Sequence, residues 1–521
     1  MKNILKKILI IPILISAFSF SQISTRKIDQ LVGDAMETFN VAGCAVGIIK
    51  NGEVFLNKGY GVKSIETNEP VNEPTNFAIA SNSKAFTTAA LSILVDEKKL
   101  NWNDKVIDII PEFKLYNDYV TQNFIIKDLV THRSGLGLGA GDLQFWPTGA
   151  DFTMDDILTN FQYFEPTSPF RTKFDYDNIL YVIAGEVVKR ISGLSWEEFV
   201  IQYVFKPLNM DNSYSNYHQI EDFSNVSAPH LSKYGKLEIV EPFANDPDKI
   251  NGAAASVISN VDDLSKWMLV HLNKGKYGDD LQDTLFSFKN HREMWKLHTI
   301  YNADTSARYN SHFAGYGLGW NLADVKGNLM VSHGGYVAGM LSRMVMIPDL
   351  KFGIVVLTNT ELSGGLLTRA VINIVVDKFL GVKEKDWIVH YQERSQKSDA
   401  KGDSVTTKVW ETVENANHDN INFEDYVGIY NDNWFGKVEV FIQEEQLWFK
   451  SLRSPKLYGQ MYYYKANAFA IKWERRELMA DAFAIFSLDE EGKAQNIKMK
   501  GISPNIDFSY DFQDLDMQRI E

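Results

Sequence analysis

Apolar residues recur three and four apart over positions 28–39, which predicts an amphipathic helix near the start of the chain. Two short apolar runs follow at 45–50 and 53–56, parted by Asn51-Gly52. An Asn-Gly pair between apolar runs predicts a tight hairpin. From 81 to 272 the pattern is mostly helical with long loops. Candidate helices lie at 81–98, 178–191 (with Gly193 as the stop), 196–204 and 261–272. Strand-like runs return at 329–332, 342–347 and 352–358, with Pro348-Asp349 in the last turn, and a helix at 366–379 follows. Strands, inserted helices, strands and a closing helix predict an α+β fold. One antiparallel sheet is then built from both ends of a domain at 22–380, flanked by helices and carrying an inserted helical subdomain. Residues 381–420 are polar and read as a partly helical linker. From 421 to 521 short alternating runs rich in aromatics predict a small all-β barrel.

The N-terminus has its own pattern. Lys2, Lys6 and Lys7 precede an apolar run from Ile8 to Phe20, about 13 residues, which is too short to span a membrane. Ser19-Phe20-Ser21 supplies small residues where a signal peptidase reads. The expectation is a leader at 1–21, cleavage before Gln22, export to the periplasm or beyond, and no stable membrane insertion afterwards. Composition narrows the rest. With 45% hydrophobic and 23% charged residues in 521, the chain is globular. A net charge of −14 disfavours nucleic acid as a partner. Cys44 is the single cysteine, so no intrachain disulfide or cysteine-based zinc site is possible, and its small apolar neighbours read it as buried. No metal motif is present, and no metal or organic cofactor is expected.

Three short motifs carry candidate chemistry. Ser-x-x-Lys occurs at Ser24/Lys27, Ser81/Lys84 and Ser398/Lys401, but only Ser81/Lys84 opens a strongly apolar helix. A three-residue spacing puts both side chains on one helix face. A desolvated lysine has a lowered pKa and can take a hydroxyl proton. Tyr176-Asp177-Asn178 stands just before the 178–191 helix, where a tyrosine can shuttle a proton and an asparagine can donate to a substrate carbonyl. His333-Gly334-Gly335-Tyr336 is read at the end of a strand. Its glycines allow close backbone approach, and the Tyr336 N–H can pair with that of Ser81 as an oxyanion hole. His333 offers a hydrogen bond or positive charge to a substrate carboxylate. Each motif also has a structural reading: a cap at Ser81 or Asn178, or a strand bulge at His333. The run Gly135-Leu136-Gly137-Leu138-Gly139-Ala140-Gly141 fits no phosphate-binding motif and reads as a flexible loop.

Together and in this order, the motifs resemble those of the serine β-lactamase and penicillin-binding-protein superfamily. The chain is most similar to the class C β-lactamase-related serine hydrolases, which include DD-carboxypeptidases, D-aminopeptidases and esterases. Further segments agree: Phe77-Ala78-Ile79-Ala80 leads into the serine, Asp128 to Leu136 is similar to "LLTHTSGL", Lys206 to Met210 to "PLGM", and Tyr316 to Trp320 to "YGLGW". The resemblance implies Ser81 as the acylated nucleophile, Lys84 and Tyr176 sharing the proton work, and Asn178, His333, Gly334 and Gly335 contacting substrate. It departs at His333, where most members carry lysine, which disfavours β-lactamase activity. It departs again at Ala253-Ala254-Ala255-Ser256, read as structural. The 421–521 region resembles the lipocalin-like appendage of some members. The implied function is a serine hydrolase acting on small peptides of D-amino-acid or peptidoglycan type. Ester hydrolysis, weak β-lactamase action and a non-catalytic binding module are the alternatives.

Overall fold

The computed structural model describes residues 23–520 apart from 234, 245, 247 and 418–420. The expected leader at 1–21 lies outside the described residues. The first helix, Thr25–Phe39, buries Ile28, Leu31, Val32, Ala35 and Phe39 along one stripe. Ser24 caps it by accepting from the Lys27 N–H at 3.3 Å, so this copy of Ser-x-x-Lys is structural. The Asn-Gly hairpin is present: Asn51 and Gly52 take φ of +57° and +83° between strands Gly43–Lys50 and Glu53–Gly61. Positive φ at both turn residues matches the right-handed twist of the paired strands.

Those strands form one edge of an eight-stranded antiparallel sheet. Its order is Glu53–Gly61, Gly43–Lys50, Phe352–Thr358, Met340–Ile347, Asn328–Val337, Asn321–Val325, Ala314–Tyr316 and Thr299–Tyr301. Early strands thus pair with late ones, with Val46 opposite Val356. Gly43–Lys50 is buried on both faces, hence its unbroken apolar run. Cys44, Val46 and Ile48 face an outer layer with Thr25–Phe39 and the closing helix Ser363–Phe379. Ala45 and Ile49 face the main core with helices Ser83–Asp96, Ile179–Ser192 and Val261–Leu272. Cys44 is a buried free thiol.

Most of the expected linker is one long helix, Trp387–Glu414. Few of its residues are buried, but Trp387 and Tyr391 dock it to the closing helix through bonds to Asp377 and Asn373, at 2.6 and 2.7 Å. Beyond it, eight strands from Gly428–Asp432 to Asp516–Arg519 close a barrel, the first pairing with the last at Tyr430/Arg519. The barrel is seated on the larger domain. The Arg453 guanidinium pairs with Asp151 and Asp156 at 2.7 and 2.8 Å, and the Trp434 ring packs, tilted, 4.7 Å from that of Phe164. One hydrophobic cluster runs through both.

Candidate active site

Ser81 and Lys84 sit where the main sheet meets the helical layer, but not on one continuous helix. A 3-10 turn at Ala80–Asn82 holds Ser81, and the α-helix runs only from Ser83 to Asp96. Ala80 enters the turn at φ +50°, a conformation an L residue rarely takes. The turn is pressed against strand Asn328–Val337. His333-Gly334-Gly335-Tyr336 forms the closing part of that strand, which ends one residue later at Val337. Gly335 is required by contact: a Cβ there would stand 2.1 Å from the Ile79 carbonyl oxygen and 3.0 Å from the Ala80 Cβ. Gly334 faces open space, with only the Ser342 carbonyl oxygen within 4 Å of a built Cβ. The two glycines thus divide the work, one admitting the serine turn and one leaving the cleft open.

Lys84 is fully buried, with its Nζ 3.1 Å from Ser81 Oγ. The Nζ also donates to Asn178 Oδ1 at 2.7 Å and to the Ala254 carbonyl at 2.9 Å. Burial pushes its pKa down to about 7, against the opposing pull of Asp142 and Asp177. Two neighbours that only accept fit the two N–H bonds of a neutral amine, leaving its lone pair for the Ser81 hydroxyl proton. The Tyr176 ring lies under the same Nζ, 4.9 Å from its centroid. Burial holds the Tyr176 hydroxyl above the usual phenol range, with a hydrogen bond to Ser81 pulling the other way. At neutral pH it is a phenol. His132 packs its ring 4.1 Å from that of Tyr176 and accepts from the Asp177 N–H at 3.1 Å.

Asn178 holds the N-cap position of its helix but makes no side-chain capping bond; the Asp177 carboxylate accepts the Leu180 N–H instead, at 3.3 Å. Its Nδ2 donates to Asp142 Oδ2 at 2.7 Å, and its oxygen faces Lys84. It bridges the lysine to Asp142. His333 also departs from expectation. Its Nδ1 donates to the Gly334 carbonyl at 2.7 Å, and its Nε2 accepts from the Tyr316 hydroxyl at 2.9 Å. Burial, reinforced by Lys84, pushes its pKa down to about 3. It is neutral, with both nitrogens engaged, and supplies no positive charge.

Ser81, Tyr176, Asn178, His333, Gly334, Gly335 and Tyr336 all line one cavity of about 400 Å³. Lys84 lies beneath Ser81, outside that lining. Arg343 and Arg369 stand on another wall, and neither forms an ion pair among the described residues. The described residues hold no cluster of three or more His, Cys, Asp or Glu able to bind a metal.

The beta-lactamase family model matches residues 28–375, well over half of the 521. The chain belongs to this family. It is 27% identical over 378 residues to the unguisins hydrolase ungD' of Aspergillus campestris, covering 70% of this chain and 67% of that protein. Protein flp of Staphylococcus aureus strain N315 is 26% identical over 353 residues, covering 64% of this chain and 63% of its own. The octameric penicillin-binding protein homologue from Pyrococcus abyssi shares the fold, with a TM-score of 0.59 at 19% identity over 95% of this chain and 100% of that one. A domain of unknown function, DUF3471, matches residues 414–519. The family and its hydrolase relatives make this chain a serine hydrolase.

Several residues of this beta-lactamase-family site escaped the sequence reading. Asp142 closes the glycine-rich run. That run is not a free loop: Gly141 N–H donates to Asp511 Oδ2 at 2.7 Å, and Gly139 lies against Phe508. The alanine run at 253–255 serves through its backbone, since Ala253 and Ala254 carbonyls accept from Thr87 and Lys84. Asp507, Phe508 and Ser509 of the C-terminal segment line the cavity. No local signal marks them, because they reach the site across more than 300 residues of chain.

Proposed function

We propose that this serine hydrolase forms an acyl-enzyme on Ser81, with peptide or amide substrates of the cell envelope, of D-amino-acid or peptidoglycan type. The observation that carries the reading is the buried Lys84 amine, 3.1 Å from Ser81 Oγ with its pKa near 7. A base poised near neutrality accepts the Ser81 proton as Oγ bonds to the carbonyl carbon. The raised pKa of Tyr176 supports Lys84 as the base and the phenol as the group that passes a proton to the departing amine. The backbone N–H groups of Ser81 and Tyr336 are offered to the oxyanion. Water then attacks the acyl carbon and Ser81 recovers its proton. Asn178 holds Lys84, and His333 braces the strand.

Arg343 and Arg369 support a substrate that ends in a carboxylate, since neither forms an ion pair among the described residues. The lysine-rich, then apolar, N-terminal pattern supports action outside the cytoplasmic membrane. The test is a panel: a peptide ending in D-Ala-D-Ala, its L counterpart and p-nitrophenyl acetate, each with wild type and Ser81→Ala. The expected result is D-Ala release, loss with the L isomer, and no turnover by Ser81→Ala. Turnover of the ester alone would replace the peptidase reading with an esterase. Full activity in Ser81→Ala would contradict the acyl-enzyme.

A further inference from the structure

The C-terminal barrel segment reaches the catalytic lysine through one line of hydrogen bonds. Ser509 Oγ donates to Asp142 Oδ2 at 2.8 Å, Asn178 Nδ2 donates to the same oxygen at 2.7 Å, and Lys84 donates to Asn178 Oδ1 at 2.7 Å. All four residues are buried. The two ends of an asparagine amide are nearly equal in shape, and only their partners decide which faces where. A carboxylate on the far side makes the N–H end face Asp142, so the oxygen faces Lys84. A flipped amide would set N–H against the lysine. The backbone beside Asp142 is fixed from the same segment: Gly141 and Leu143 N–H groups donate to Asp511 at 2.7 and 3.0 Å. Asp142 Oδ1 has no hydrogen-bond partner among the described residues, so Oδ2 alone carries the connection.

We infer that Asp142 and Ser509 are positioning residues for Lys84, and that the C-terminal barrel is thereby a working part of the active site. The inference rests on Lys84 being the base that activates Ser81. Its test is the pH profile of Ser81 labelling by a fluorophosphonate, in the full-length chain, for wild type, Ser509→Ala, Asp142→Asn and the double variant. The charged or titratable groups around Lys84 are Asp142, Asp177, Tyr176, Tyr181, His132 and His333; Asp507 and Asp511 also face Asp142. Losing the Ser509 donor favours the neutral acid at Asp142, and Asp142→Asn removes the anion outright. Either change makes Lys84 release its proton more readily. The labelling limb is expected to move to lower pH by about one unit, and the plateau rate to fall by about tenfold as the amide loses its fixed orientation. The double variant is expected to match the single ones, because the residues act in series. Circular dichroism checks that the folded fraction is unchanged. A Ser509→Ala profile with unmoved midpoint and plateau, or two effects that simply add, would overturn the inference while leaving the acyl-enzyme reading intact. An unlabelled Ser81 in wild type would overturn both.

Discussion

At Lys84, position alone sets the chemistry. The same Ser-x-x-Lys spacing at Ser24 makes an ordinary helix cap, whereas at Ser81 it brings a buried amine onto a hydroxyl. Because burial lowers the Lys84 pKa, the active amine is the form present above about 7. Acylation of Ser81 is therefore expected to rise with pH through an apparent midpoint near 7 and to be lost below it, read by rapid labelling across pH 5–9. Asp142 titrates in the same range, so the midpoint belongs to the pair. Lys84→Ala is expected to cut the plateau by about two orders of magnitude or more, the usual worth of a general base. Gly335→Ala tests the packing of the serine turn. Its methyl meets the Ile79 carbonyl, so the turn must shift, at about 1–3 kcal/mol in thermal unfolding. The residue types at Ser81, Lys84, Tyr176 and Asn178 were legible in the sequence because their spacing survives folding. That both His333 nitrogens are already engaged was not, because Nε2 is held by Tyr316, a residue of another strand.

Elements with a strong period were predicted closest to their observed bounds. The 261–272 helix matches in full, and 28–39 and 178–191 fall within observed helices or one residue of them. Misses came where tertiary contact overrides local pattern. The serine sits in a 3-10 turn packed against Gly335, and not on the α-helix expected from 81. The strand expected at 329–332 runs on to Val337, because residues 331–337 pair with 340–346 across two glycines that carry no β signal. The glycine-rich run looked flexible because its partner, Asp511, is in the barrel. Asp511→Ala strands the Gly141 and Leu143 N–H groups, so it is expected to cost about 1–3 kcal/mol for each buried donor left unpaired. Differential denaturation of Asp511→Ala and wild type checks this.

Over the whole molecule, the barrel and the hydrolase domain share one core and one cavity wall. The all-β character of the C-terminal region was legible from its alternation. Its docking onto the site was not, since Phe508, Ser509 and Asp511 meet partners that sequence distance hides. Such a shared core predicts one calorimetric unfolding transition for the full chain and not two. It also makes the nucleophile the point on which the account stands. The direct measurement is the intact mass of the full-length protein after brief exposure to penicillin and to a fluorophosphonate, with Ser81→Ala alongside and peptide mapping of any adduct. The account predicts one adduct, on the peptide that holds Ser81 and absent from Ser81→Ala. A folded wild-type protein that takes no adduct from either reagent, or an adduct that persists in Ser81→Ala, would contradict it.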